Sequence, residues 1–225
     1  MRMEVLACKI SGVDLHPRIG QILEVIHDRN GEALLYVTAA LDASIQETYA
    51  QSRPKFPPHK LRGVVLATNV RNLVLWHSEL DEFKKAKLRV KEGANCSVLL
   101  IDPADTPIRV RKHPRRNRTE LAAVVKPDDA LIPVTHPEED TLFGLNWIAS
   151  SWEPAVLWDA DPGTESLRKA WLGALERDKE TPRIFGKLEI PIGSAALYAR
   201  KTPPPAIDLG WDDEFPNEDT GDDLA

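Results

Sequence analysis

Residues 19–31, IGQILEVIHDRNG, are the stretch whose reading decides the fold. Apolar residues at 19, 22, 23 and 26 have helical spacing, yet QILEVIH also suits a strand rich in β-branched side chains. The Asn30-Gly31 pair tips the balance. Between two apolar runs it is a strong short-range hairpin signal, because both residues tolerate positive φ. Residues 20–27 and 33–39 are therefore expected as paired strands. Residues 41–51 then form a short helix with Asp42 or Ser44 as its cap.

Working outward, residues 3–10 are expected as a first strand, closed by Ser11-Gly12-Val13-Asp14. Residues 52–60, SRPKFPPHK, form a basic, proline-rich connector that cannot be regular helix or inner strand. A second hairpin is expected from residues 63–68 and 73–77 about Asn69-Val70-Arg71-Asn72. A short charged helix or turn follows at 78–87, with Ser78 as cap and Asp81 and Glu82 in its first turn. Residues 88–91 and 96–101 flank Glu92-Gly93-Ala94-Asn95 as a third hairpin. Residues 130–160, with Trp147, Trp152 and Trp158 among three prolines, read as irregular with two short strands. Residues 164–179 have the helical spacing Leu167, Ala170, Trp171, Ala174, Leu175 behind a Thr164 cap. Two strands, 183–190 and 194–200, close the body. The fold class is thus α+β and mainly antiparallel β, built from consecutive hairpins in a sheet, sandwich or partly open barrel, with one clear amphipathic helix.

The second informative stretch is residues 106–125, TPIRVRKHPRRNRTELAAVV. Ile108 and Val110 alternate with Arg109 and Arg111, the period of a strand with one apolar and one basic face. His113 to Arg118 would form a turn, and 121–125 an apolar return strand, so the whole reads as a projecting hairpin arm with a mobile tip. Its six bases are Arg109, Arg111, Lys112, Arg115, Arg116 and Arg118, and alternating guanidinium forks suit phosphate oxygens. Phe56 and Trp76, each near basic residues, are the candidates for stacking bases. Trp147, Trp158 and Trp171 are expected as core.

Charge is polarised. The formal net charge is −6, but all 29 Lys and Arg lie at or before Lys201, while eight of the 35 acids lie beyond it. A body over 1–201 at +2 therefore precedes a proline linker and acidic tail over 202–225 at −8. The tail is expected to be disordered, since it has little to bury. Within it Trp211, Asp212, Asp213, Glu214 and Phe215 mix acids with aromatics. Over about fifteen residues its composition resembles the acidic tails of bacterial and phage single-stranded DNA-binding proteins, which recruit partners and compete for the DNA groove. It departs from them in that Phe215 is followed by ten further residues.

Other classes find less support. Cys8 and Cys96 form no CxxC or Cys/His spacing, which argues against a disulfide framework or structural zinc and suits a cytoplasmic protein. No apolar run is long enough for a signal-peptide core or a membrane span. The six histidines, His16, His27, His59, His77, His113 and His136, show neither HxH nor HExxH spacing. No GxSxG, P-loop or GxGxxG occurs, and Gly193-Ser194 has no base nearby in sequence. No catalytic residue, metal ligand or cofactor is assigned. The leading expectation is non-catalytic nucleic-acid binding, single-stranded DNA first, with the tail as competitor or partner hook. The alternative is a structural or protein-interaction factor, such as a phage-like assembly or accessory protein, using its basic arm on an acidic partner. Third stands a metal-dependent nuclease built on Asp81-Glu82-Phe83-Lys84 with Asp102.

Overall fold

The computed structural model describes residues 17–94, 96–117, 120–126, 151–177, 179 and 182–198. Three helices come first: α1 (Pro17–Ser52), α2 (Gly63–Ser78) and the single turn α3 (Asp81–Lys84). Six strands follow: β1 (Arg89–Gly93), β2 (Ser97–Ile101), β3 (Pro107–Lys112), β4 (Trp152–Asp161), β5 (Ser166–Glu176) and β6 (Ile184–Ile190). They form one sheet in chain order, antiparallel throughout except for the parallel β3–β4 pair. Helix α1 lies over β5 and β6 and against α2, which covers β1 and β2.

Helix α1 overturns the expected hairpin at 20–39. Ile19, Ile22, Leu23, Ile26, Asn30, Ala33, Leu34, Val37, Leu41, Ile45 and Tyr49 are all buried, a stripe at steps of three and four that only a helix can present to one core. Asn30 occupies a stripe position for a polar reason. Its Nδ2 donates to Ile26 O at 3.0 Å and to Asp102 Oδ2 at 3.0 Å. Asp102 is fully buried; it also binds Arg29 at 2.5 Å and accepts the Ala104 and Thr106 amides at 2.9 and 2.8 Å. Asn-Gly here is a buried anchor followed by a tolerated helical glycine, not a turn. Asp42 and Ser44 lie inside α1 rather than at its start: Asp42 Oδ1 accepts the Leu167 amide at 2.9 Å, and Ser44 Oγ donates to Ala40 O.

The hairpin expected at 63–77 is likewise α2, whose buried Leu66, Asn69, Val70, Leu73, Val74 and His77 again step by three and four. The helix expected at 164–179 is strand β5 instead. A bulge opposite Asp159 and Ala160 inserts Arg168, so Leu167 and Ala170, three apart, both face the helices. Trp171 and Leu175 face the other side of the sheet. That bulge, with burial of both faces, gives a strand the apolar spacing of a helix. Strand β4 is also buried on both faces from Trp152 to Ala160, so the end of the segment expected as irregular with two short strands is one ten-residue strand, while residues 130–150 lie outside the described residues. The β1–β2 hairpin about Gly93 and strand β6 occur where expected, whereas residues 195–197 form a 3₁₀ turn rather than part of a strand.

Residues 106–125 do not project. Strand β3 is internal, paired with β2 on one side and β4 on the other. Beyond it, Arg115 and Leu121 bridge a short turn, closed by Arg116 N donating to Glu120 O at 2.9 Å. Residues 121–125 do not return along β3. Leu121, Ala122 and Val124 instead cover a second apolar cluster of Ala155, Leu157, Trp171, Leu175 and Ile184 on the sheet face away from the helices. Val125 N donates to Ile184 O at 2.8 Å. Apolar gain on that face outweighs a free-standing hairpin. The strand expected at 3–10, Trp147 and the tail over 202–225 lie outside the described residues. No helix among the described residues is long and apolar enough to cross a membrane.

Candidate nucleic-acid interface

The alternation in β3 sorts its side chains. Ile108 and Val110 enter the core beneath the helices, and Arg109 and Arg111 take the opposite face. Arg109 is already committed. It grips both carboxylate oxygens of buried Glu153, with Nη2 to Oε2 at 3.2 Å, and donates from Nη1 to Ser97 Oγ at 2.9 Å. That staples β2, β3 and β4 together. Arg115 is committed too: it meets Asp159, fully buried, at 2.7 Å, and Arg168 holds the other oxygen of that carboxylate.

Arg111 and Lys112 are different. Both are half-buried, and among the described residues neither forms an ion pair with a carboxylate. Burial, then the neighbouring Arg109, lowers the pKa of Arg111; burial, then Arg115, lowers that of Lys112. Lys112 sits at the start of α2, where a Cβ on Gly63 would lie 3.0 Å from its Nζ. That helix end has no side-chain cap and no acid in its first turn. Its free amide groups and partial positive charge add to the ammonium. Arg116, Lys60 and Arg62 are exposed and also lack ion pairs among the described residues.

Of the other candidates, Phe56 is half-buried in the basic connector that leads to α2. Trp76 lies thirteen residues after Gly63 on α2, about 20 Å along the axis, so it is not part of this cluster. Arg118 and residues 211–215 lie outside the described residues. The nuclease candidates are dispersed: Lys84 pairs with Asp81, and Asp102 is used in anchoring α1. Among the described residues no group of three His, Cys, Asp or Glu is placed to hold a metal ion.

His113, expected at the start of a turn, belongs to no sequence motif. It is buried edge-on to Trp171 at 5.0 Å, with Nδ1 donating to Pro114 O at 2.7 Å and Nε2 accepting from Lys187 Nζ at 3.3 Å. Lys187 also lies 4.7 Å from the Trp171 ring centre. Burial pushes the His113 pKa down to about 4, which keeps the ring neutral and makes this tautomer consistent with both contacts. The chain matches no protein family, no curated protein and no solved structure.

Proposed function

We propose that the protein binds single-stranded nucleic acid without cleaving it, DNA being the first substrate to test, through phosphate contacts at the end of β3 and the start of α2. The observation that carries this reading is Lys112: a half-buried cation with a lowered pKa, beside the uncapped start of α2, with no carboxylate paired to it among the described residues. Burying a charge without a paired carboxylate is costly, and a bound anion at the start of α2 offsets that cost for Lys112. Lys60, Arg62 and Arg116 extend the same sign, and Phe56 offers one aromatic ring for a base. The acidic tail, with eight negative charges beyond Lys201, acts as a tethered competitor at an effective concentration of order millimolar.

Fluorescence anisotropy with a labelled single-stranded oligonucleotide tests both parts. If Lys60, Arg62, Lys112 and Arg116 meet phosphates, log Kd against log salt has a slope of magnitude about 3. Lys112→Ala with Arg116→Ala weakens binding about tenfold at low salt, and truncation after Lys201 strengthens it by an amount that shrinks as salt rises. Absence of binding at low salt by both full-length and truncated protein overturns the proposal. Retention of an acidic protein but not of the oligonucleotide would move the site to a protein partner.

A further inference from the structure

A cavity of about 690 Å³ opens between α1, the end of α2 and the 3₁₀ turn Ala195–Leu197. Its walls combine three kinds of group. Asp42 and Glu47 bring two carboxylates, and among the described residues the lining holds no Lys or Arg to balance them. Trp76 and Tyr198 bring aromatic rings, which flank His77 with centroids 4.9 and 4.6 Å from its own. Ala43, Ala50, Ala195 and Ala196 leave the space open.

His77 is the unusual member. It is 3% exposed, and its buried Nδ1 has no hydrogen-bond partner among the described residues. Burial also pushes the His77 pKa down to about 4, so near neutral pH the imidazole is uncharged and adds no positive charge to the cavity. Each carboxylate keeps acceptor capacity: Asp42 receives the Leu167 amide and Gln46 Nε2, and Glu47 receives Gln51 Nε2 at 2.8 Å.

We propose that this cavity binds a small organic cation with a flat, apolar body. Carboxylates attract its charge, and the half-buried Trp76 ring holds it by cation–π contact. The volume falls in the range of ordinary small-molecule sites. A bare metal ion fits less well, since Asp42, Glu47 and His77 are not grouped for coordination among the described residues. The acidic residues 208–223 share the sign of the cavity and so are not its natural occupant. The site is independent of the cationic end of β3.

Isothermal titration of the full-length protein at pH 7 with benzylamine, benzyl alcohol and benzoate tests this, and no nucleic acid enters the assay. Benzylamine should bind at least tenfold tighter than the neutral alcohol, and benzoate should give no heat. Glu47→Gln should weaken benzylamine about fivefold. Ala50→Trp, at an exposed position of the lining, should abolish binding while far-UV circular dichroism stays unchanged. Equal binding of amine and alcohol, an amine affinity unmoved by both substitutions, or no heat from any probe would overturn the proposal.

Discussion

Arg115 and Arg116 are neighbours with the same charge and opposite roles, so substituting them one at a time separates architecture from surface chemistry. Arg115 gives a charge-assisted hydrogen bond, 2.7 Å long, to the fully buried carboxylate of Asp159. Such bonds contribute about 1.5–3 kcal/mol, and losing one leaves part of a buried charge uncompensated. Arg168 stays on the second oxygen of Asp159, and Arg115 is itself 29% exposed, so Arg115→Ala should cost about 2 kcal/mol. For a chain of this size that lowers Tm by roughly 4–8 °C. Arg116 is exposed, and its removal should stay within about 0.5 kcal/mol. Urea denaturation followed by circular dichroism measures both, with unchanged m-values as the condition for comparing midpoints. Equal midpoints for Arg115→Ala and wild type, or an Arg116→Ala loss as large as the Arg115→Ala loss, would refute this division. The outcome also decides which variants can probe the proposed DNA binding, because Arg116→Ala with Lys112→Ala leaves the Asp159 ion pairs in place.

Three further results are expected. Gly31→Ala should stabilise the protein by about 1 kcal/mol in the same denaturation experiment, since the residue is helical and a Cβ there meets nothing within 4 Å. Gly193→Ala should do the reverse by about 1–3 kcal/mol, because its Cβ would stand 2.1 Å from Leu35 O, where Gly193 N donates to Thr38 Oγ1 at 2.9 Å. Stability should fall in acid, because His77 and His113 have folded pKa values of about 4, below the unfolded value of 6.5. The unfolded chain therefore binds more protons between those values; stability is full above pH 6.5 and declines toward pH 4, by on the order of 3 kcal/mol per histidine. Urea midpoints across pH 4–7 measure this, and His113→Gln should remove about half of the dependence; a slope unchanged in that variant would count against it.

The sequence exposed some of this architecture and hid the rest for identifiable reasons. The β1–β2 hairpin was legible because Gly93 and its neighbours break two short runs and nothing else competes. Helix α1 was hidden by one buried Asn, whose reason for being there, Asp102, lies 72 residues away. Strand β5 took a helical disguise from a bulge that only its pairing with β4 reveals. The basic character of β3 could be seen directly. Which of its arginines were committed could not, because Glu153 and Asp159 each lie 44 residues downstream of the arginine they hold. Lys112 at the end of β3 and His77 in its cavity illustrate the same limit: their types are ordinary, and only tertiary placement makes them notable.

The single parallel ladder has a consequence for how the chain reaches this shape. It joins two antiparallel three-stranded meanders, β1–β3 and β4–β6, each closed by short connections. Pairing β3 with β4 instead closes a loop over residues 113–151, which costs roughly 2 kcal/mol more entropy than closing a five-residue turn. Each meander should therefore assemble early from local contacts, and the central seam late. Helix α1 spans that seam, tied to the first meander through Asn30 and Asp102 and to the second through Asp42 and the Leu167 amide. Its docking is what converts two semi-independent folding units into one cooperative body, so amides along β3 and β4 should exchange with solvent as a single group with those of α1.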